Sequence, residues 1–85
     1  MIATTSKNGK NVRLDADYHI DTAKAYYTVR CDGVELEFDM FAPAARVYKD
    51  LSRLIEDGMD FTARLKGHIR AARLLGYNVR GKEVA

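Results

Sequence analysis

The stretch from 24 to 41 leaves the chain few folds to choose from. Asp32-Gly33 is a two-residue turn signal with alternating sequence on both sides, the strongest short-range cue for a β-hairpin. After it, Val34, Leu36, Phe38 and Met40 alternate with Glu35, Glu37 and Asp39. Before it, Ala25, Tyr27, Val29 and Cys31 alternate with Lys24, Tyr26, Thr28 and Arg30. A two-residue loop pairs Cys31 with Val34, Val29 with Leu36, Tyr27 with Phe38 and Ala25 with Met40. Every apolar residue then falls on one face, and a slip of one residue would undo the match. The same register sets Arg30 opposite Glu35 on the other face.

A second period-two run precedes this hairpin. Val12, Leu14, Ala16, Tyr18 and Ile20 alternate with Arg13, Asp15, Asp17, His19 and Asp21, the pattern of a half-buried strand. Asp21-Thr22-Ala23-Lys24 reads as the connection. Pairing Ile20 with Ala25 then puts Tyr18 opposite Tyr27, Ala16 opposite Val29 and Leu14 opposite Cys31. Three strands in a meander have one apolar face that needs a cover. Pro43 suits the first turn of a helix, and Ala44, Val47, Tyr48, Leu51, Leu54 and Ile55 follow at helical spacing, stopped by Gly58. Asp60 is placed to cap a second helix that Gly76 ends. Phe61, Leu65, His68, Ile69, Ala72 and Leu75 form its apolar stripe.

The expected fold is therefore α+β, a three-stranded antiparallel meander followed by an antiparallel pair of helices on one face (βββαα, a two-layer sandwich). Residues 1–10 read as a flexible lead-in ending in the turn signal Asn8-Gly9, 11–76 as a single domain and 77–85 as a polar, basic tail. Ala63, Gly67 and Ala71 recur every four residues along the second helix, with Leu74 near the same line. Small side chains there let another backbone approach, and an interior glycine implies a packing reason. The first reading puts helix one on that line; the second puts a partner or a second copy of the chain there, as a homodimer.

The turn at Asp21, the strand ending in Cys31-Asp32-Gly33, the acidic strand after it, and Phe61 followed by Arg64, Ile69 and Ala72 resemble a small bacterial family, domain of unknown function 1488. The resemblance spans roughly residues 12–75, and the chain lacks the family's tryptophan near the first turn, having no Trp at all. It implies a strand meander covered by helices and brings no activity or site residues.

At 85 residues the chain has room for one small core, burying about 60–65% of its unfolded surface. No apolar run approaches the roughly 20 residues that span a membrane, no secretory signal is visible, and the single cysteine forms no internal disulfide. These features point to a cytoplasmic protein. The net charge of +2 is small but segregated: residues 1–30 carry +2, 31–61 carry −5 and 62–85 carry +5.

Candidate chemistry is sparse. His19, Tyr26 and Asp39 would share a row on the outer sheet face, and a histidine oriented by a carboxylate begins an acid–base site. No nucleophile or oxyanion hole accompanies it, and an open face excludes no water, so no enzymatic activity is expected. His19 and His68 lie on opposite sides of the sheet and Cys31 points inward, which gives no metal-ligand spacing. No glycine has the strand–loop–helix setting of a nucleotide fingerprint, and no cofactor is expected.

Two charged surfaces remain as candidates for partner binding. The acidic sheet face carries Asp15, Asp17, Glu35, Glu37 and Asp39; it suits a basic protein surface and repels phosphates. Charged outer residues also keep an open sheet from stacking. The basic set is Lys66, Arg70 and Arg73 on helix two, with Arg80 in the tail; it could meet an acidic protein patch or nucleic acid, and it also suits the helix dipole. The leading expectation is a small non-enzymatic protein that acts by protein–protein contact, a regulator or inhibitor such as phages and mobile elements carry. The alternative is a nucleic-acid binder using helix two and the tail. No membrane partner is expected.

Overall fold

The computed structural model describes residues 2–81. The element order is β1 (Ala3–Lys7), β2 (Lys10–His19), β3 (Lys24–Cys31), β4 (Val34–Phe38), α1 (Phe41–Glu56), α2 (Thr62–Leu74) and β5 (Asn78–Gly81). One antiparallel sheet has the strand order β1-β2-β3-β4-β5. The three-strand expectation is thus corrected to five strands, ββββααβ, and two segments read as loose ends belong to the sheet. Residues 3–7 are a strand rather than a lead-in, and 78–81 are a strand rather than a tail; 82–85 lie outside the described residues.

Physical reasons account for both additions. Asn8 and Gly9 have φ of 54° and 76°, both in the left-handed region required by a tight hairpin turn whose twist suits the strands it joins. β1 was hard to read because its inward residues pack through polar contacts. The Thr5 hydroxyl lies 2.8 Å from the Tyr48 hydroxyl and accepts a hydrogen bond from Ser52 Oγ at 2.9 Å. Lys7 Nζ donates to the Glu56 carbonyl at 2.9 Å, placing a cation at the negative end of α1. In β5, Val79 lies opposite Leu36 and Arg80 opposite Glu35, a four-residue alternation too short to stand out in sequence.

The Asp32-Gly33 hairpin has the expected register from Cys31↔Val34 to Tyr27↔Phe38, with Arg30 opposite Glu35. The Ala25–Met40 pair does not form, because β4 ends at Phe38 and Met40 caps α1. The β2–β3 register is displaced by two residues: Val12 faces Cys31, Leu14 faces Val29, Ala16 faces Tyr27 and Tyr18 faces Ala25. A shift of two preserves the side of the sheet each residue occupies, so alternation alone could not distinguish the registers.

Both helices cover one face of the sheet, α1 across β1–β4 and α2 against β5. Val12, Leu14, Val29, Cys31, Val34, Leu36 and Phe38 meet Ala44, Val47, Leu51, Leu54 and Ile55 of α1, with Phe61, Leu65, Ile69 and Ala72 completing the core. Each helix ends in the same carbonyl-capping motif. Gly58 N–H donates to the Ile55 carbonyl and Met59 N–H to that of Leu54; Gly76 and Tyr77 do likewise to Arg73 and Ala72. Asp60 accepts a bond from Thr62 N–H at 2.9 Å at the start of α2, an exposed carboxylate whose pKa the backbone and side-chain bonds from Thr62 lower. No helix among the described residues is long and apolar enough to cross a membrane.

Candidate functional site

β2 and β3 are the longest strands, and they outrun their neighbours at one end. β1 stops at Ala3, opposite Leu14, and β4 stops at Phe38, opposite Tyr27. The pairs Asp17↔Tyr26, Tyr18↔Ala25 and His19↔Lys24 therefore form a two-stranded arm closed by residues 20–23. Its apolar residues lie beyond the helices: Tyr18 is 67% exposed and Ile20 99%, although alternation had set both on the buried side. In the loop, Ala23 N–H donates to the His19 carbonyl at 2.8 Å, and Ala23 has φ of 54°.

Where β4 turns into α1, the β3 edge is left open, and a concavity of about 740 Å³ occupies the gap. It has two lips. Ala25, Tyr27, Phe38, Met40, Phe41 and Tyr77 form the inner one. Tyr27 and Phe41 meet edge to face, centroids 5.6 Å apart, and Phe38 tilts against Tyr77 at 5.0 Å. His19, Lys24, Tyr26, Glu37, Asp39 and Asn78 form the outer one. Tyr26 stacks on His19 at 4.3 Å, and Asn78 Nδ2 donates to Glu37 at 2.7 Å.

The backbone here follows from the hairpin. Residues flanking a two-residue turn exchange both hydrogen bonds, and alternate residues then point toward the same neighbour. Cys31, Val29 and Tyr27 face β4 in this way. Ala25 is next in that series, so its N–H and C=O are directed into the gap where Met40 would have paired.

The row expected of His19, Tyr26 and Asp39 changes with the register. Asp17 lies opposite Tyr26, His19 lies opposite Lys24, and Asp39 falls past the end of β4. All three of the expected residues still line the concavity, His19 through its stack on Tyr26.

The acidic sheet face is laced with arginines. Asp15 lies 2.9 Å from Arg13 and 3.6 Å from Arg30, and Arg30 Nε donates to Glu35 at 2.6 Å. The bond from Arg30 to Glu35 raises the guanidinium pKa further. Arg80 reaches Glu35 at 3.9 Å. Asp17 accepts from the Tyr18 N–H, and Glu37 and Asp39 line the concavity.

The basic set divides. Lys66, Arg70 and Arg73 are exposed together on α2, beside Ile69 and Leu74. Arg80 sits on the other side of the sheet, paired with Glu35. Arg64 and His68 turn toward α1, where Arg64 Nη1 lies 2.6 Å and His68 Nε2 2.7 Å from the Asp50 carboxylate. Burial pushes the Asp50 pKa up, but the bonds from His68 and Arg64 outweigh it and hold the carboxyl below its ordinary value.

The line Ala63, Gly67, Ala71 and Leu74 is not covered by helix one. All four are exposed, Leu74 at 82%, and nothing lies within 4 Å of a Cβ built at Gly67. Leu75, assigned to the buried stripe, is exposed as well. Cys31 is buried among the core residues, and that burial pushes its thiol pKa up to about 11, so it is a packing residue. Among the described residues no three His, Cys, Asp or Glu side chains gather as metal ligands.

Sequence reasoning missed Ala25, Met40, Phe41 and Tyr77 as site residues. The sequence held no decisive signal, since Pro43 in the first turn of α1 allows the helix to begin at Phe41 but is equally compatible with a later start that would let Met40 pair. No family model, curated protein or solved structure matches the chain, so the resemblance to domain of unknown function 1488 rests on the residues quoted above alone.

Proposed function

We propose that this protein works by contact with another protein, as a regulator or inhibitor without catalysis of its own, and that the open end of β3 is its working surface. One observation carries the reading: exposed Met40 and Phe41 line the aromatic notch, and exposed Tyr18 stands opposite Ala25, a notch residue, on the adjoining arm that Ile20 extends. Aromatic residues and Met are the side chains enriched where proteins meet, and buried anchors of this kind supply most of the binding energy at an interface. The charged sheet face fits less well as a stand-alone surface, because two of its five carboxylates, Asp15 and Glu35, are already engaged by Arg13, Arg30 and Arg80.

A second reading, nucleic-acid contact through α2, draws on the shared exposure of Lys66, Arg70 and Arg73. A pull-down from a lysate of the native host separates the two. Wild type and the Arg70→Ala/Arg73→Ala variant are expected to retain the same protein after nuclease treatment, and Phe41→Ser to lose it. Retention that depends on the two arginines and vanishes with nuclease would overturn the proposal in favour of the second reading.

A further inference from the structure

We infer that the partner enters the notch as an extended segment that adds to the free edge of β3 at Ala25, with an apolar side chain on the inner lip and a basic one on the outer lip. The inference rests on the docking reading above and specifies what docks. Three observations converge on it. The Ala25 N–H and C=O point into the gap, and an open strand edge is a template for another extended backbone. The walls are divided as a strand would require, since successive side chains point to opposite faces. One faces Tyr27, Phe41 and Met40; the next faces Tyr26, Glu37 and Asp39.

The sign of the charge follows from the outer lip. Asp39 makes no hydrogen bond or ion pair with the described residues, Glu37 lies beside it, and the Tyr26 ring offers a face to a cation. Lys24 lies at the opposite end of the open edge, so a basic side chain is set toward Asp39 and away from Lys24. The β2 edge of the arm is also unpaired, but the walls from α1 and Tyr77 flank β3 alone.

The probe is a blocked heptapeptide of alternating lysine and valine, titrated into the isotope-labelled full chain and followed by amide NMR. The amides of Ala25, Tyr27 and Phe41 are expected to shift together and saturate. N-methylation of the central valine should weaken binding about tenfold by removing one backbone bond. Asp39→Lys should weaken it and Lys24→Glu tighten it, each by about three- to fivefold for an exposed charge. Ala25→Pro removes the donor without breaking a bond inside the sheet and should abolish the shifts while the rest of the spectrum keeps its dispersion. Shifts confined to α2 or the β2 edge, equal binding of the N-methylated peptide, or tighter binding of a glutamate–valine peptide would each overturn the inference. So would no shift at Ala25 up to about 1 mM peptide. Shifts at Ala25 that grow with protein concentration and no peptide would replace the partner by a second copy, which also overturns it. If the peptide fails while Phe41→Ser still loses the protein from lysate, strand addition falls and the docking reading stands; if Phe41→Ser retains the protein as well, both fall.

Discussion

At its Cys31 end, β3 is enclosed: Val29 and Cys31 are buried, β2 and β4 flank them, and α1 and α2 lie over that face. At its Lys24 end the same strand keeps one neighbour, and Ala25 is only half-buried, in the notch that Phe41 and Tyr77 also line. The turns differ in kind. Asp32 and Gly33 have φ of 52° and 79°, conformations that suit glycine and that a short polar side chain tolerates. Ala23 adopts φ of 54° with neither advantage. One end of the strand is enclosed, while the other leaves apolar surface exposed and a strand edge without a neighbour, which is where docking is proposed. An isolated two-stranded ribbon is marginal in water, so the arm is expected to contribute little to folding.

The sharpest way to break this comparison is to cut into each end. Leu36, 1% exposed and opposite Val29, is expected to destabilise the protein by about 2–5 kcal/mol when replaced by alanine, through lost burial and the cavity left behind. Urea denaturation measures it. A loss below about 1 kcal/mol would mean that the enclosed end is looser than its packing implies.

The next effect concerns the helices that enclose that end. Asp50→Asn should cost about 1–2 kcal/mol at neutral pH, because it removes the charge that holds Arg64 and His68 against α1. The Asp50 pKa is lowered in the folded state, so its contribution is full above the unfolded value near 4 and is lost as pH falls through the folded value. Wild type and Asp50→Asn should therefore converge in stability as pH falls through that lowered value. Denaturation curves at pH 7 and pH 3 test this, and a gap that widened in acid would reverse the assigned sign.

How much of this contrast was legible depended on where the constraints lie. The Asp32-Gly33 register was readable because turn chemistry and alternation agree there, and a slip would expose the whole apolar set. The Lys24 end was not, because a four-residue loop permits registers two apart that leave every residue on the same face. β1 escaped notice because Thr5 and Lys7 bind α1 through hydrogen bonds, which leave no apolar period, and β5 because four residues are too few to show one. The charged site candidates were visible as residues, but their pairing needed the register: Arg80 falls beside Glu35 only once β5 joins the sheet. The notch itself is made by an absence of pairing, at Ala25, and alternation reports only where pairs are allowed.

At the open end the expected effects are smaller. Ala23→Gly relieves a left-handed alanine and should stabilise the protein by at most about 1 kcal/mol, partly offset by the greater freedom of the unfolded chain. Thermal melts would show a small rise, and a fall would mean that the loop is not strained.

Ile20→Ser should change stability least, within about 0.5 kcal/mol, because a side chain that is 99% exposed has no burial to lose. The same substitution is expected to reduce retention of the protein partner, since Ile20 extends the apolar surface at the arm's tip. Measuring both in one sample decides what that residue is for. Unchanged stability with reduced retention supports a binding arm. Unchanged retention would confine the working surface to the notch, and a stability loss comparable to that of Leu36→Ala would mean that the arm folds back onto the core in solution, removing the difference between the two ends of β3.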